Sequence, residues 1–563
     1  MEKVASKGDS MRIKRALIAL TIGLVFALGG LATNALRAQP VATLALTGKV
    51  TSATDGAMEG VLVSAKRADS TITVTVVTDA QGRYGFPAAR LEPGDYALKI
   101  RAIGYELPAP VTATVVAQQT ATADLTLQAG ADVAQQMNSA EWLMSMPGTD
   151  KQKNGLIECL GCHTLQRVMM SHYTADQLLA KLPQMFAYAN MSTPLHPQHR
   201  LGPPHINPDE LHALATFLAG VNLSTTSRWR YPLKTLPRPT GAATHVIITE
   251  YDLPRVTIEP HDVYRDAKGM IWFSDFGESL VGQLDPSTGK EREFPLPLLK
   301  GRAPTGELGF QAGSDGAYWL AMMYQGGIAR FDPVTHAVKE WPVPPEWNSD
   351  ATQETMVEPV HMNVDGKVWM NDVDLRVIYR MDAATGKFEK FGPLMDAHGA
   401  SMGNYSIFSD TNNNLYTLDF GGGAIGRIDA KTGALGDFET PTVYSRPRRG
   451  MMDDHDNIWF AEYAANKVGK FDTKTDRFDE WPVKVPWFEP YDVALDKHGE
   501  LWTSSMFADR VVRLNPKTGS EIDYLLPRDT NVRNVIVDNS GPTVTFWAGN
   551  NHDASIIKLE PLP

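Results

Sequence analysis

The chain has 563 residues, 43% hydrophobic and 21% charged, a soluble globular balance at a length that predicts two to four domains rather than one core. Its net charge of −12 argues against a nucleic-acid partner, because a phosphate backbone is bound by a cationic surface. Both of its cysteines sit in one short motif, Cys159 and Cys162, so no disulfide staples distant segments and stability rests on packed cores.

At the N-terminus, Arg12, Lys14 and Arg15 precede an apolar run from Ala16 to Leu31, and small residues follow, with cleavage points after Ala35 or Ala38. That order is the layout of a secretory signal, assigned to residues 1–38. The run of about sixteen residues is shorter than the roughly twenty that span a bilayer, so cleavage is expected over a permanent anchor. An uncleaved tether is the only expected route to a membrane.

Between residues 42 and 128, alternating runs such as Val61-Leu62-Val63-Ser64-Ala65 and Tyr96-Ala97-Leu98-Lys99-Ile100 are separated by the turn signals Asp55-Gly56, Gln81-Gly82 and Pro93-Gly94-Asp95. The rhythm predicts an antiparallel β-sandwich of about seven strands. The phrase Thr78-Asp79-Ala80-Gln81-Gly82-Arg83-Tyr84-Gly85-Phe86, followed by Leu91-Glu92-Pro93-Gly94-Asp95-Tyr96, resembles the carboxypeptidase regulatory-like domain. The resemblance implies a non-catalytic, prealbumin-like module. No histidine occurs before His163, and a stability or docking role is expected.

Residues 132–223 carry the most definite chemistry of the chain, Cys159-Leu160-Gly161-Cys162-His163. Two thiols three residues apart with a histidine directly after them form the attachment signature of c-type haem. The thiols bond the porphyrin edge and His163 reaches the iron as proximal ligand. No second cysteine pair completes a zinc cage, and a redox pair does not need the trailing histidine. Helices are predicted over 139–147, over 155–170 with the motif at its start, from a Thr174 cap, and from Asn207-Pro208 to Gly220. Pro183 is expected to kink or interrupt the third. Short helices around this motif resemble a small class I cytochrome c domain, which implies electron transfer by covalently held haem c. Met185, on the apolar face of the third helix, is the first candidate for distal iron ligand and Met191 the alternative; His172, His196, His199, His205, His212 and an open site remain. Because this haem is attached outside the cytoplasm in bacteria, motif and signal together point to the periplasm.

Residues 244–563 repeat. Trp272, Trp319, Trp369, Tyr416, Trp459, Trp502 and Trp547 recur at intervals of 43 to 50 residues, giving seven units. Each begins at a turn such as Asp266-Ala267-Lys268-Gly269 or Asp456-Asn457, which is hairpin chemistry rather than a metal loop. The units read as four-stranded blades of a seven-bladed β-propeller, closed by lending the phrase from Ile247 to Pro254 to the last blade. The whole fold is therefore expected to be mainly β, a sandwich and a propeller flanking a small all-α segment. The pattern resembles the streptogramin (virginiamycin) B lyase family, in which a histidine after proline and a glutamate fourteen residues later stand beside magnesium. Here Glu462 keeps the glutamate's place, but Arg448 after Pro447 replaces the histidine; only the first blade keeps a comparable pair, His261 and Asp275. An arginine cannot be the base such a lyase needs.

His261, Asp275 and Glu462 are thus the candidate catalytic residues, with magnesium at the funnel as a candidate cofactor. Together with His361, Asp372, Asp419, Arg448, Arg449, Tyr491 and Asp492 they are expected to converge on one rim. The leading expectation is a haem protein that moves electrons to or from a redox partner protein or small-molecule donor held by the propeller. The alternatives are a carbon–oxygen lyase and a non-enzymatic scaffold.

Overall fold

A computed structural model describes residues 43–202 and 206–563; the signal segment and His205 lie outside the described residues. The chain is mainly β, in a sandwich-like N-terminal unit and a C-terminal set of propeller-like sheets. No helix among the described residues is long and apolar enough to cross a membrane.

The seven longer strands of the first unit are those the alternation predicts, and three two-residue pairings, Gly56–Ala57, Tyr105–Glu106 and Ala121–Thr122, add to them. Leu44–Ser52 pairs antiparallel with Arg83–Pro87 and parallel with Leu125–Ala129. Leu62–Arg67 lies between Ile72–Val77 and Gly94–Arg101 in the facing sheet. Leu46, Val50, Val63, Phe86 and Leu98 meet between the sheets as one buried cluster. Gly82 must be glycine: its φ is +73°, and a Cβ there would stand 2.6 Å from the Val50 carbonyl oxygen.

Seven four-stranded blades follow, and the seven repeated aromatics each occupy the second strand of one, from Ile271–Asp275 to Thr545–Asn550. All seven are buried, filling the space between neighbouring blades. The hairpin aspartates fix them. Asp266 accepts from the Lys268 and Met270 amides through Oδ1 and from the Trp272 indole through Oδ2, at 2.8, 2.9 and 3.0 Å. Asp453 and Asp496 hold Trp459 and Trp502 in the same way.

Closure follows the expected route, with Val246–Asp252 antiparallel to Ser555–Pro561. The other edge of the same strand pairs with Ile72–Val77 of the sandwich, Ile248 opposite Thr75. One eight-stranded sheet therefore runs from the last blade into the sandwich. The sequence sets the sandwich and the propeller on either side of a helical segment; the sheet joins them because an outermost strand presents unpaired amides and carbonyls that the sandwich edge satisfies.

The intervening segment is helical but differs from its prediction. Instead of one helix over 155–170, a 3₁₀ turn, Ile157–Gly161, carries the motif, and a separate helix, Leu165–Met169, follows. The break falls at Thr164, whose extended ψ of 157° caps the second piece. Thr174 caps Ala175–Phe186 with Gln177 in a reciprocal box, and Asn207 caps Pro208–Val221. Pro183 lies inside the helix without ending it.

Candidate functional site

Apolar side chains tie the helical segment to the propeller: Trp142, Leu143, Leu160 and Leu218 share one buried cluster with Tyr463, Phe488, Tyr491 and Phe507. Polar bonds then pin the motif itself. Asn531 Nδ2 donates to the Leu160 carbonyl at 3.0 Å, while Arg533 Nη2 and His552 Nε2 donate to the Gly161 carbonyl at 2.6 and 3.2 Å. Glu158 pairs with Arg446 at 2.9 Å. The carbonyls at the end of a helical turn have no partner within it, and here the propeller supplies them.

Between the two lies a cavity of about 790 Å³, lined by Cys159, Cys162 and His163 on one wall and by Tyr405, Phe420, Arg448, Tyr463 and Tyr491 on the other. Burial pushes the Cys159 thiol up to about 12 and raises Cys162 as well, so both are protonated thiols at neutral pH. His163 Nδ1 donates to the Thr164 carbonyl at 3.0 Å. That bond fixes the tautomer and leaves Nε2 with its lone pair, the state an iron ligand requires. Burial lowers the imidazole's pKa and keeps it neutral.

A porphyrin fits this donor set. Tyr173, Met185 and Phe186 are among the few large apolar side chains left exposed, at 40%, 42% and 39%, and all three face the cavity with Leu178 and Leu182. Apolar groups held open on a concave wall are the lining a flat hydrophobic ligand covers. Met185 lines the same cavity as His163. Met191 is fully buried in a core with Ala189, Phe276 and Tyr324 and does not itself line the cavity. His172 Nδ1 is held by the Leu223 carbonyl, and His172, His196, His199 and His212 are likewise absent from the wall.

The expected convergence of ten rim residues is corrected: only Arg448 and Tyr491 reach the cavity. The reason is backbone satisfaction. Asp275 Oδ1 accepts from the amides of Glu259, Gly277 and Glu278, Asp372 Oδ1 from Gln353 and Leu375, and Asp419 Oδ1 from Gly403 and Gly421. Each closes its blade's second strand by holding neighbouring loops. His261 is fully buried, donates through Nδ1 to Asp262 at 2.7 Å and leaves Nε2 without a partner. Burial lowers His261 to about 4. Asp262 also takes a two-pronged contact from Arg449, at 2.6 and 2.8 Å. Glu462 is buried with both oxygens unpartnered, its pKa pushed up to about 8 by burial and by Glu480. It does not line the cavity that Arg448 lines. His361 donates or accepts with Ser409, away from the wall. Among the described residues, no group of three or more His, Cys, Asp or Glu side chains is placed to hold a metal ion.

Sequence reasoning missed Arg446, Asn531, Arg533 and His552, which grip the motif, and Tyr405, Phe420 and Tyr463, which surround Arg448. No local pattern marks them, since they come from three blades, Tyr405 and Phe420 from the fourth, Arg446 and Tyr463 from the fifth, and Asn531, Arg533 and His552 from the last, and only the closed ring brings them together.

Residues 45–128 match the model of the carboxypeptidase regulatory-like domain, and residues 398–561 that of the virginiamycin B lyase family. The Cys159–His163 segment lies in neither range. No curated protein matches the chain. Similar solved structures include a catalytically inactive virginiamycin B lyase from Staphylococcus aureus with quinupristin, 21% identical, TM-score 0.47, over 56% of this chain and 99% of that one. A streptogramin B lyase structure is 20% identical, TM-score 0.47, over 57% and 99%. The extracellular domain of a hybrid two-component system from B. thetaiotaomicron is 15% identical, TM-score 0.42, over 54% and 40%.

Proposed function

We propose that this chain is an exported, periplasmic c-type haem protein in which a cytochrome c-like helical segment holds the haem against the mouth of a β-propeller, and that electron transfer there is coupled to a ligand or redox partner at that mouth. The observation that carries this reading is the single cavity walled by Cys159, Cys162 and His163 on one side and by the propeller mouth on the other. Cys159 and Cys162 would form the two thioethers, His163 Nε2 would hold the iron, and Met185, which lines the same cavity, would supply a second iron ligand. Haem held in this way gains and loses one electron at a time. Thr164 orients His163 through its carbonyl, Asn531, Arg533 and His552 fix the turn on which the cysteines sit, and Tyr173 and Phe186 keep water from the apolar wall.

The test is expression with export in a host that matures c-type cytochromes. Absorbance of haem that survives acidic solvent extraction is expected in the wild type and lost in the Cys159→Ala, Cys162→Ala protein. Wild-type protein without covalent haem under those conditions overturns the reading.

A second reading, a carbon–oxygen lyase, has the family match over residues 398–561 in its favour. It lacks the family's base at its expected place: Arg448 stands there, and Glu462, His261 and Asp275 do not line the cavity. Magnesium-dependent opening of a cyclic depsipeptide by the haem-free protein would carry it over the first.

A further inference from the structure

The protein is acidic, yet the cavity is not. Its described wall carries seven cationic side chains against two carboxylates, and both carboxylates are already matched, Glu158 by Arg446 and Asp374 by Arg200. The centre of this imbalance is Arg448. Its guanidinium lies 3.9 Å from the Tyr491 ring centre, 4.5 Å from those of Phe420 and Tyr463, and 5.1 Å from that of Tyr405. Four aromatic faces attract a cation, but they accept none of its five N–H bonds in the way a carboxylate does. Among the described residues Arg448 makes no ion pair and no hydrogen bond, and its Nε is buried without a partner. The next residue provides the contrast: Arg449 is met by both oxygens of Asp262. A half-buried guanidinium whose Nε is buried and unpartnered, with no anion beside it, is costly, and a carboxylate is the planar, two-pronged group that matches it.

We propose that Arg448 is the carboxylate-binding residue of the propeller mouth, its aromatic box orienting the guanidinium toward an organic anion in the cavity. Two sources share that chemistry, a propionate of the bound porphyrin and the carboxylate of a free organic acid. The first rests on the haem reading and the second stands without it.

Benzoate is the probe, applied to the full-length exported protein as isolated and to its Cys159→Ala, Cys162→Ala form, with calorimetry and thermal melting as readouts. If the anion is a free organic acid, benzoate binds the protein as isolated and raises its Tm, and Arg448→Gln weakens binding at least tenfold. If it is a propionate, benzoate binds only the cysteine-free form, and Arg448→Gln shifts the reduction potential of the haem-loaded protein. Benzoate binding insensitive to Arg448→Gln, or absent from both forms with an unchanged potential, overturns the proposal. In the absence of anion, Arg448→Gln and Arg448→Met are expected to keep or raise Tm, because they remove an uncompensated charge. A lower Tm in both would make Arg448 a clasp for the four rings and would overturn it as well. Failure of haem attachment alone leaves the benzoate arm intact, so the two readings fail separately.

Discussion

Two methionines on the same stretch of chain show how a residue's surroundings decide its role. Met185 is 42% exposed, and that exposure opens onto the cavity, whereas Met191 has none. Removing a fully buried methionine side chain leaves a hole and costs about 2–5 kcal/mol, while trimming one that borders an open cavity costs little. Met191→Ala is therefore expected to lower the unfolding free energy by about that amount and to leave the visible spectrum of haem-loaded protein unchanged. Met185→Ala is expected to do the reverse, with near-native stability but an altered spectrum and a lowered reduction potential, since a thioether opposite histidine raises it. Denaturant titration and spectroelectrochemistry on the same two variants separate the roles. A spectral change in Met191→Ala with none in Met185→Ala would exchange the assignments.

At the scale of elements, the strand Val246–Asp252 has partners on both edges, Ser555–Pro561 from the last blade and Ile72–Val77 from the sandwich. A propeller normally leaves its outermost strands exposed and short; here one of them continues into another sheet, so the sandwich is a structural neighbour of the ring's closure. Lys66 adds an ion pair to Asp252 across the same junction, and Arg528 holds Asp252 from within the ring. Deleting residues 43–129 is expected to bare the strand edge at Ile247–Tyr251, five residues, lower the Tm of the remainder and promote aggregation, which melting and size-exclusion chromatography would detect. A truncated chain that stays monomeric at the native Tm would show the junction to be dispensable. The blades themselves were legible in the sequence because Trp272 and its six counterparts repeat with their Asp turns. The helix starts at Thr174 and Asn207 were legible from their caps. The pairing of Ile248 with Thr75 was not, because it joins strands far apart in sequence and depends on two edges meeting. The break at Thr164 was missed for a similar reason: apolar periodicity runs through it, and the turn is stabilised by Asn531, Arg533 and His552 from the far end of the chain. For the site, the motif gave the chemistry of one wall, while the acidic rim residues misled, since a carboxylate that holds loop amides and one that faces a ligand look alike in sequence.

Across the whole molecule, those carboxylates set a pH response. Burial raises Asp275 and Glu358 to about 7 and Glu462 and Glu489 to about 8, all well above their values in an unfolded chain. A carboxyl whose folded pKa is raised contributes stability below its unfolded pKa and loses it as pH climbs through the folded one. Between about pH 4.5 and 8 the folded protein therefore holds protons that the unfolded chain has already released, so stability falls with rising pH. His261, lowered to about 4 by burial, acts in the opposite sense: its contribution is present above its unfolded pKa and lost as pH falls toward 4. Asp262 adds to that acid-side loss. Burial works to raise it, but Arg449 outweighs burial and holds it down at about 2. Four such carboxyls begin to lose stability as soon as the unfolded chain ionises, at about pH 4.5, and outweigh the one histidine, so these groups place maximum stability at about pH 4–5, with the slope above it owed to the blades rather than to the surface. Thermal melts at constant ionic strength are expected to show Tm falling by several degrees from pH 6.5 to 8.5, and a Glu462→Gln, Glu489→Gln double variant is expected to flatten that slope by removing two of the groups that must ionise. A Tm that is constant or rises over this interval would mean that these carboxyls are ionised in the folded protein, each with a counter-charge that the blades do not provide.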